Sequence, residues 1–171
     1  ARWPSCAAAG IGTREERYRA RYLLFTPTPY SDDWEMKDDY DSSARGNRSQ
    51  KGSLIACFDV QLDEKGCLAS ARRIREEEAA EGSKWYAYVE TPNESPWYNG
   101  QTYVNTLDKE AMRRFIEVTY ERYLDTVGED FGKRVPAIFT DEPQFTRKQT
   151  LGFAQDKNDV ALPWSDDLPD T

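Results

Sequence analysis

At 171 residues and a net charge of −8, the chain is long enough for one ordinary domain and too acidic to present a nucleic-acid surface. Its apolar content of 38% indicates a thin core, and no apolar run reaches the roughly 18 residues of a membrane helix. The chain has no histidine, which excludes histidine-dependent triads and leaves carboxylates, tyrosine, lysine and cysteine to carry any chemistry. We expect a soluble chain that binds neither nucleic acid nor membrane, with no cofactor and no metal.

The N-terminal part of the chain mixes a predicted helix with a polar loop. Residues 13–24 carry aromatic and aliphatic side chains at helical spacing, and Thr13 is a suitable N-cap for a short helix there. Residues 31–52 are dense in Asp, Ser, Arg and Gly and show no sustained period. This composition predicts an exposed loop insertion.

Three β-rich runs follow this loop. Residues 53–63 and 67–74 flank a turn in which Gly66 suits a left-handed position, so they predict an antiparallel hairpin. Residues 84–91 predict another strand, on which side chains alternate between two faces. This strand ends close to an acidic side chain, Glu90.

The clearest helical pattern lies in residues 108–127, with Asp108 as N-cap and Gly128 as the stop. One stripe of this helix carries the side chains Met112, Phe115, Ile116, Thr119, Tyr123 and Val127. A strand, this helix and a second strand after it would form a right-handed βαβ crossover.

That second strand is the most informative run of the chain, Val135-Pro136-Ala137-Ile138-Phe139-Thr140-Asp141-Glu142-Pro143. A short apolar run that ends in two carboxylates predicts a buried parallel strand that delivers acids to the edge of a sheet. Because side chains alternate along a strand, only one of Asp141 and Glu142 would point into a given cleft. Glu142 is therefore a candidate acid, base or nucleophile; the alternative is a strand-end acid that caps a helix or pairs with an arginine.

Motifs spread in order over most of the chain carry a resemblance to a known family: Arg2-Trp3-Pro4-Ser5, Tyr88-Val89-Glu90-Thr91-Pro92, Ser95-Pro96-Trp97-Tyr98-Asn99-Gly100, Phe139-Thr140-Asp141-Glu142-Pro143 and Leu162-Pro163-Trp164-Ser165. In this combination the chain resembles large, barrel-containing glycoside hydrolases of the α-L-rhamnosidase-like kind. The resemblance implies an α/β fold, a partial (β/α)8 TIM barrel with an inserted β-hairpin. It also implies that residues 1–171 are one segment of a larger polypeptide.

The resemblance further implies cleavage of glycosidic bonds in a polysaccharide or oligosaccharide by carboxylate acid/base catalysis. Glu142 would be the general acid and Asp141 an orienting neighbour. The second carboxylate that such hydrolysis normally requires would be Glu90 or would lie outside this chain.

The carbohydrate substrate would contact Glu90, and Trp97, Tyr98 and Asn99 in the following loop. Structural ion pairing for Glu90 and loop packing for the aromatic residues stay open as alternatives. Two other functions stay open as well: a non-catalytic carbohydrate-binding module that uses Trp97 and Tyr98, and an incomplete, inactive gene product. Three arginines of the predicted helix are most simply its solvated face, namely Arg113, Arg114 and Arg122.

Overall fold

The computed structural model describes residues 4–30, 52–92, 94, 98–139, 145, 148–153, 156 and 158–168. The chain divides into two compact units. We call Ala1–Ala20 with Glu94–Thr146 the helical unit, and Arg21–Asn93 with Arg147–Thr171 the sheet unit.

The sheet unit contains five strands: β1 (Arg21–Thr26), β2 (Ser53–Leu62), β3 (Leu68–Ile74), β4 (Ser83–Glu90) and β5 (Val160–Trp164). They lie in the order β3-β2-β4-β1-β5, and every pairing between neighbours is antiparallel. The prediction of a partial (β/α)8 TIM barrel is therefore wrong, because a barrel of that kind consists of parallel strands joined by helices. The inserted hairpin of that prediction belongs instead to this antiparallel sheet.

One face of the sheet carries the core of this unit. Burial alternates along β1, so that Tyr22 and Leu24 are buried while Leu23 and Phe25 are half-buried. Tyr88 of β4 and Ala161 of β5 complete the buried cluster. The ring of Tyr30 packs edge-on against Tyr88, with 4.7 Å between the ring centroids.

The predicted helix over residues 13–24 is wrong, because β1 occupies Arg21–Thr26. Thr13 lies instead in the last turn of helix α1 (Pro4–Arg14), where its hydroxyl oxygen accepts a hydrogen bond from the Thr102 N–H at 2.9 Å. Tyr22 and Leu23 fit helical spacing when viewed with Tyr18, but Tyr22 and Leu24 fit the alternation of a strand. Pairing with β4 and β5 decides in favour of the strand.

The predicted hairpin and the predicted strand over residues 84–91 are confirmed by β2, β3 and β4. Between β2 and β3, Gly66 adopts a left-handed φ of 77°, as expected for a tight turn. The Asp63 carboxylate accepts hydrogen bonds from the N–H groups of Lys65 and Cys67, which holds the turn closed. Apart from Gly52, the predicted loop insertion at 31–52 lies outside the described residues.

The helical unit contains α1, α2 (Lys109–Val118) and α3 (Tyr120–Val127). Asp108 is the N-cap as predicted, since its carboxylate accepts hydrogen bonds from the N–H groups of Glu110 and Ala111. The single predicted helix is instead divided at Thr119, where ψ is −78° and the hydroxyl donates to the Phe115 carbonyl. The core contains residues of α1, of α2 and of the segments beside them: Ala8, Ile11, Tyr18, Val104 and Ala111.

The predicted buried strand that begins at Val135 is wrong over its described part. Val135 forms one isolated bridge with Phe131, residues 136–139 belong to no strand, and Phe139 is 81% exposed. Pro136 has no N–H to donate to a ladder, and a short apolar run does not by itself distinguish a core strand from an exposed segment. The predicted βαβ crossover is wrong for the same reason.

Candidate functional site

The residues predicted to catalyse or to bind the substrate lie in different parts of the chain. Asp141, Glu142 and Trp97 lie outside the described residues, whereas Glu90, Tyr98 and Asn99 are described. Asp141, Glu142 and the loop of Trp97 and Tyr98 belong to the helical unit, and Glu90 belongs to the sheet unit.

Glu90 is the last residue of β4, and only 1% of it is exposed. Its direct neighbour on β1 is Tyr22, whose hydroxyl donates a hydrogen bond to the Glu90 Oε2 at 2.5 Å. Gly52 packs over this pair so closely that an added Cβ would lie 2.5 Å from Glu90 Cγ. A ligand could reach this carboxylate only if the chain that covers it moved, so the geometry favours structural pairing over substrate contact.

Tyr98 and Asn99 form a turn in the helical unit. The Tyr98 ring packs against Tyr103, with 4.8 Å between the centroids, and burial raises the pKa of the Tyr98 hydroxyl. Asn99 and Gly100 both have positive φ, at 59° and 68°, and both are exposed. The turn therefore leaves the Asn99 side chain available to a ligand while the Tyr98 ring packs within the loop.

An apolar cavity of about 370 Å³ lies beside α2 and α3. Its wall contains five aromatic side chains: Phe115, Tyr120, Tyr123, Phe131 and Phe139. The chain continues from Phe139 through Thr140 to Asp141 and Glu142, so the cavity lies close in sequence to the predicted acids. This size and this composition are typical of a small-molecule site.

A second, polar cleft of about 660 Å³ lies between α1 and the α2–α3 pair. Arg14, Glu15, Gln101, Arg114 and Arg122 lie along it. Glu15 accepts a hydrogen bond from Arg114 Nε at 2.9 Å, and this bond lowers the pKa of the Glu15 carboxyl and raises that of Arg114. The interpretation of the arginines as a solvated face missed this cleft.

No sequence signal pointed to either concave site. The stripe of the predicted helix over residues 108–127 indicated one helix face but no cavity, and Tyr123 on that stripe is 51% exposed in the structure. Arg14 and Arg122 are 108 positions apart in the sequence, and only the packing of α1 against α2 shows that they share a cleft.

No protein family, curated protein or solved structure matches this chain. The likeness to glycoside hydrolases therefore stays a prediction from the sequence motifs. Within the part of the chain that the structure describes, no helix is long and apolar enough to cross a bilayer. Across these same residues, no group of three or more His, Cys, Asp or Glu side chains is placed to hold a metal ion.

Proposed function

We propose that this chain is part of a glycoside hydrolase and that Glu142 is its general acid. One observation carries the proposal beyond the motifs themselves. Three of the family-like segments, at residues 2–5, 95–100 and 139–143, belong to the same compact unit. Segments of one compact unit can contribute to one site, so this grouping supports the proposal of a site in the helical unit.

In this proposal, Glu142 donates its proton to the glycosidic oxygen as the bond between that oxygen and the anomeric carbon breaks. As that bond breaks, a second carboxylate either attacks the anomeric carbon, to form a glycosyl-enzyme ester that water then hydrolyses, or takes a proton from the water that attacks this carbon. Separations of about 5–5.5 Å and about 6.5–9.5 Å between the two carboxyl groups correspond to retention and inversion. Asp141 is a positioning neighbour, and Glu90 is a structural residue of the sheet unit.

The apolar cavity supports this assignment because its aromatic wall includes a residue that is close in sequence to the proposed acid. Phe139 lies on its wall, and Glu142 follows Phe139 by three residues. Three residues of extended chain span at most about 10–11 Å, which is the upper limit on the backbone separation of Glu142 from Phe139. Aromatic rings pack well against the apolar faces of sugar rings, which gives the cavity a role in holding the substrate.

The test is hydrolysis of a panel of alkyl glycosides, whose leaving oxygens need protonation, by the wild-type chain and by Glu142→Gln. We expect the substitution to lower kcat by about 100-fold to 10,000-fold, the usual contribution of a general acid. Glu129→Gln is the matched control, since Glu129 is an exposed glutamate of the same unit and should retain full activity.

Equal turnover by the wild-type chain and Glu142→Gln, with both folded by circular dichroism, would contradict the assignment of Glu142. Saccharide binding by a wild-type chain that hydrolyses nothing in the panel would replace the proposal with the non-catalytic binding module. In that case Trp97→Ala should weaken binding while Glu142→Gln leaves it unchanged.

A further inference from the structure

The polar cleft of the helical unit has a charge that differs from that of the whole chain. The chain carries a net charge of −8, yet the charged side chains along this cleft are Arg14, Arg114 and Arg122 against a single carboxylate, Glu15. The cleft is therefore locally positive. A concave surface of one sign concentrates the field and attracts ions of the opposite sign more strongly than a flat surface does.

The three arginines are not equivalent. Arg114 already forms two ion pairs, since its Nε donates to Glu15 at 2.9 Å and its Nη1 pairs with Glu117 at 3.1 Å. Arg14 and Arg122 are exposed, and neither forms an ion pair with any described carboxylate. Glu15 is neutralised by Arg114, so it does not offset the charges of Arg14 and Arg122.

We propose that this cleft binds a small ligand through an oxyanion group, a carboxylate, sulfate or phosphate, held by Arg14 and Arg122. A guanidinium group presents paired N–H donors that match such groups, and bonds of this kind are among the strongest in proteins. The side-chain amide of Gln101 lies along the same cleft and can bond a hydroxyl of the same ligand. This inference does not depend on the role of Glu142.

The experiment is an NMR titration of the full 171-residue chain with sodium sulfate, sodium phosphate, D-glucuronate and D-glucose. We expect at least one of the three anions to shift the backbone amide signals of Gly10, Gln101 and Thr126, which lie along the cleft. Neutral D-glucose should shift them much less at equal concentration. Added sodium chloride should weaken the binding, because salt screens exposed charges.

Arg14→Gln and Arg122→Gln should each weaken the binding about tenfold, the loss expected for one charge-assisted hydrogen bond. Arg113→Gln is the matched control, because Arg113 pairs with Glu110 on α2 and does not line the cleft. It should leave the affinity unchanged.

The relative affinities for the three anions also indicate which kind of ligand carries the oxyanion group. Tighter binding of glucuronate than of sulfate and phosphate supports an acidic saccharide, and the reverse order supports a sulfated or phosphorylated ligand or the free ion. The proposal is overturned if no anion shifts the cleft signals, or if both cleft variants bind as tightly as the wild-type chain and Arg113→Gln.

Discussion

At the scale of single residues, two of the buried carboxylates of the sheet unit, Asp59 and Glu90, have different surroundings. Asp59 of β2 accepts hydrogen bonds from the N–H groups of Gly82 and Glu81 at 2.9 and 3.1 Å. Glu90 of β4 accepts one from the Tyr22 hydroxyl. The sequence indicated neither set of hydrogen bonds, because each carboxylate accepts from residues that are far from it along the chain.

The Tyr22 hydroxyl should contribute measurably to stability. Tyr22→Phe removes the donor to Glu90 in a position that water does not reach, so we expect a loss of about 1–3 kcal/mol in the free energy of unfolding. Urea denaturation at neutral pH measures this loss. Tyr123→Phe is the control on an exposed tyrosine and should change stability by less than about 0.5 kcal/mol. Equal stability of the two variants would mean that the bond to Glu90 is not formed.

Asp59 should make stability depend on pH in the acid range. The backbone N–H groups of Gly82 and Glu81, followed by Arg72, lower the pKa of the Asp59 carboxyl in the folded chain. A lowered folded pKa means that the ionised form stabilises the fold above the unfolded pKa of about 3.9, and that this stabilisation is lost as the pH falls through the folded pKa.

The measurement for Asp59 is the urea midpoint of the wild-type chain and of Asp59→Asn across this acid range. Asn retains the size of the side chain but has no charge, so the wild type should have the higher urea midpoint at neutral pH. The difference between the two midpoints should become smaller as the pH falls. A difference in urea midpoint that stays constant with pH would show that the charge of Asp59 does not contribute to stability.

At the scale of elements, the sequence predicted those that local pattern determines. The hairpin of β2 and β3, the strand β4 and the start of α2 at Asp108 were all predicted, because alternation, turn residues and caps act within a few positions. The strand β1 was missed, since its stability depends on pairing with β4 and β5. The error over residues 135–139 has the same origin, because apolar content alone does not supply a partner strand.

Helix α1 offers a test of packing within one element, because Gly10 and Gly12 differ in their surroundings. A Cβ at Gly12 would lie 2.2 Å from the carbonyl oxygen of Tyr103, whereas a Cβ at Gly10 would meet nothing closer than 3.9 Å. Gly12→Ala should therefore lower the free energy of unfolding by about 1–3 kcal/mol. Gly10→Ala should be neutral or raise it by up to about 1 kcal/mol, because alanine favours a helix. Thermal denaturation of both variants checks this, and similar changes in both would contradict the packing of α1 against Tyr103.

At the scale of the whole molecule, the division into two units separates the predicted site residues. The turn of Tyr98 and Asn99 and the proposed acid Glu142 belong to the helical unit, whereas Glu90 is buried in the sheet unit. Motif order along the chain could not reveal this division, since it depends on which segments pack together. The cleft of Arg14 and Arg122 could not be predicted either, since it too depends on which segments pack together.

The proposal that Glu142 is a general acid is tested most directly by comparing two kinds of leaving group. A general acid protonates the departing oxygen, so its loss matters most when that oxygen leaves as a strong base. For alkyl glycosides we expect Glu142→Gln to lower kcat/KM by about 100-fold or more, and for dinitrophenyl glycosides by less than about tenfold. An equal loss for both leaving groups, or no loss for either, would contradict the role of Glu142.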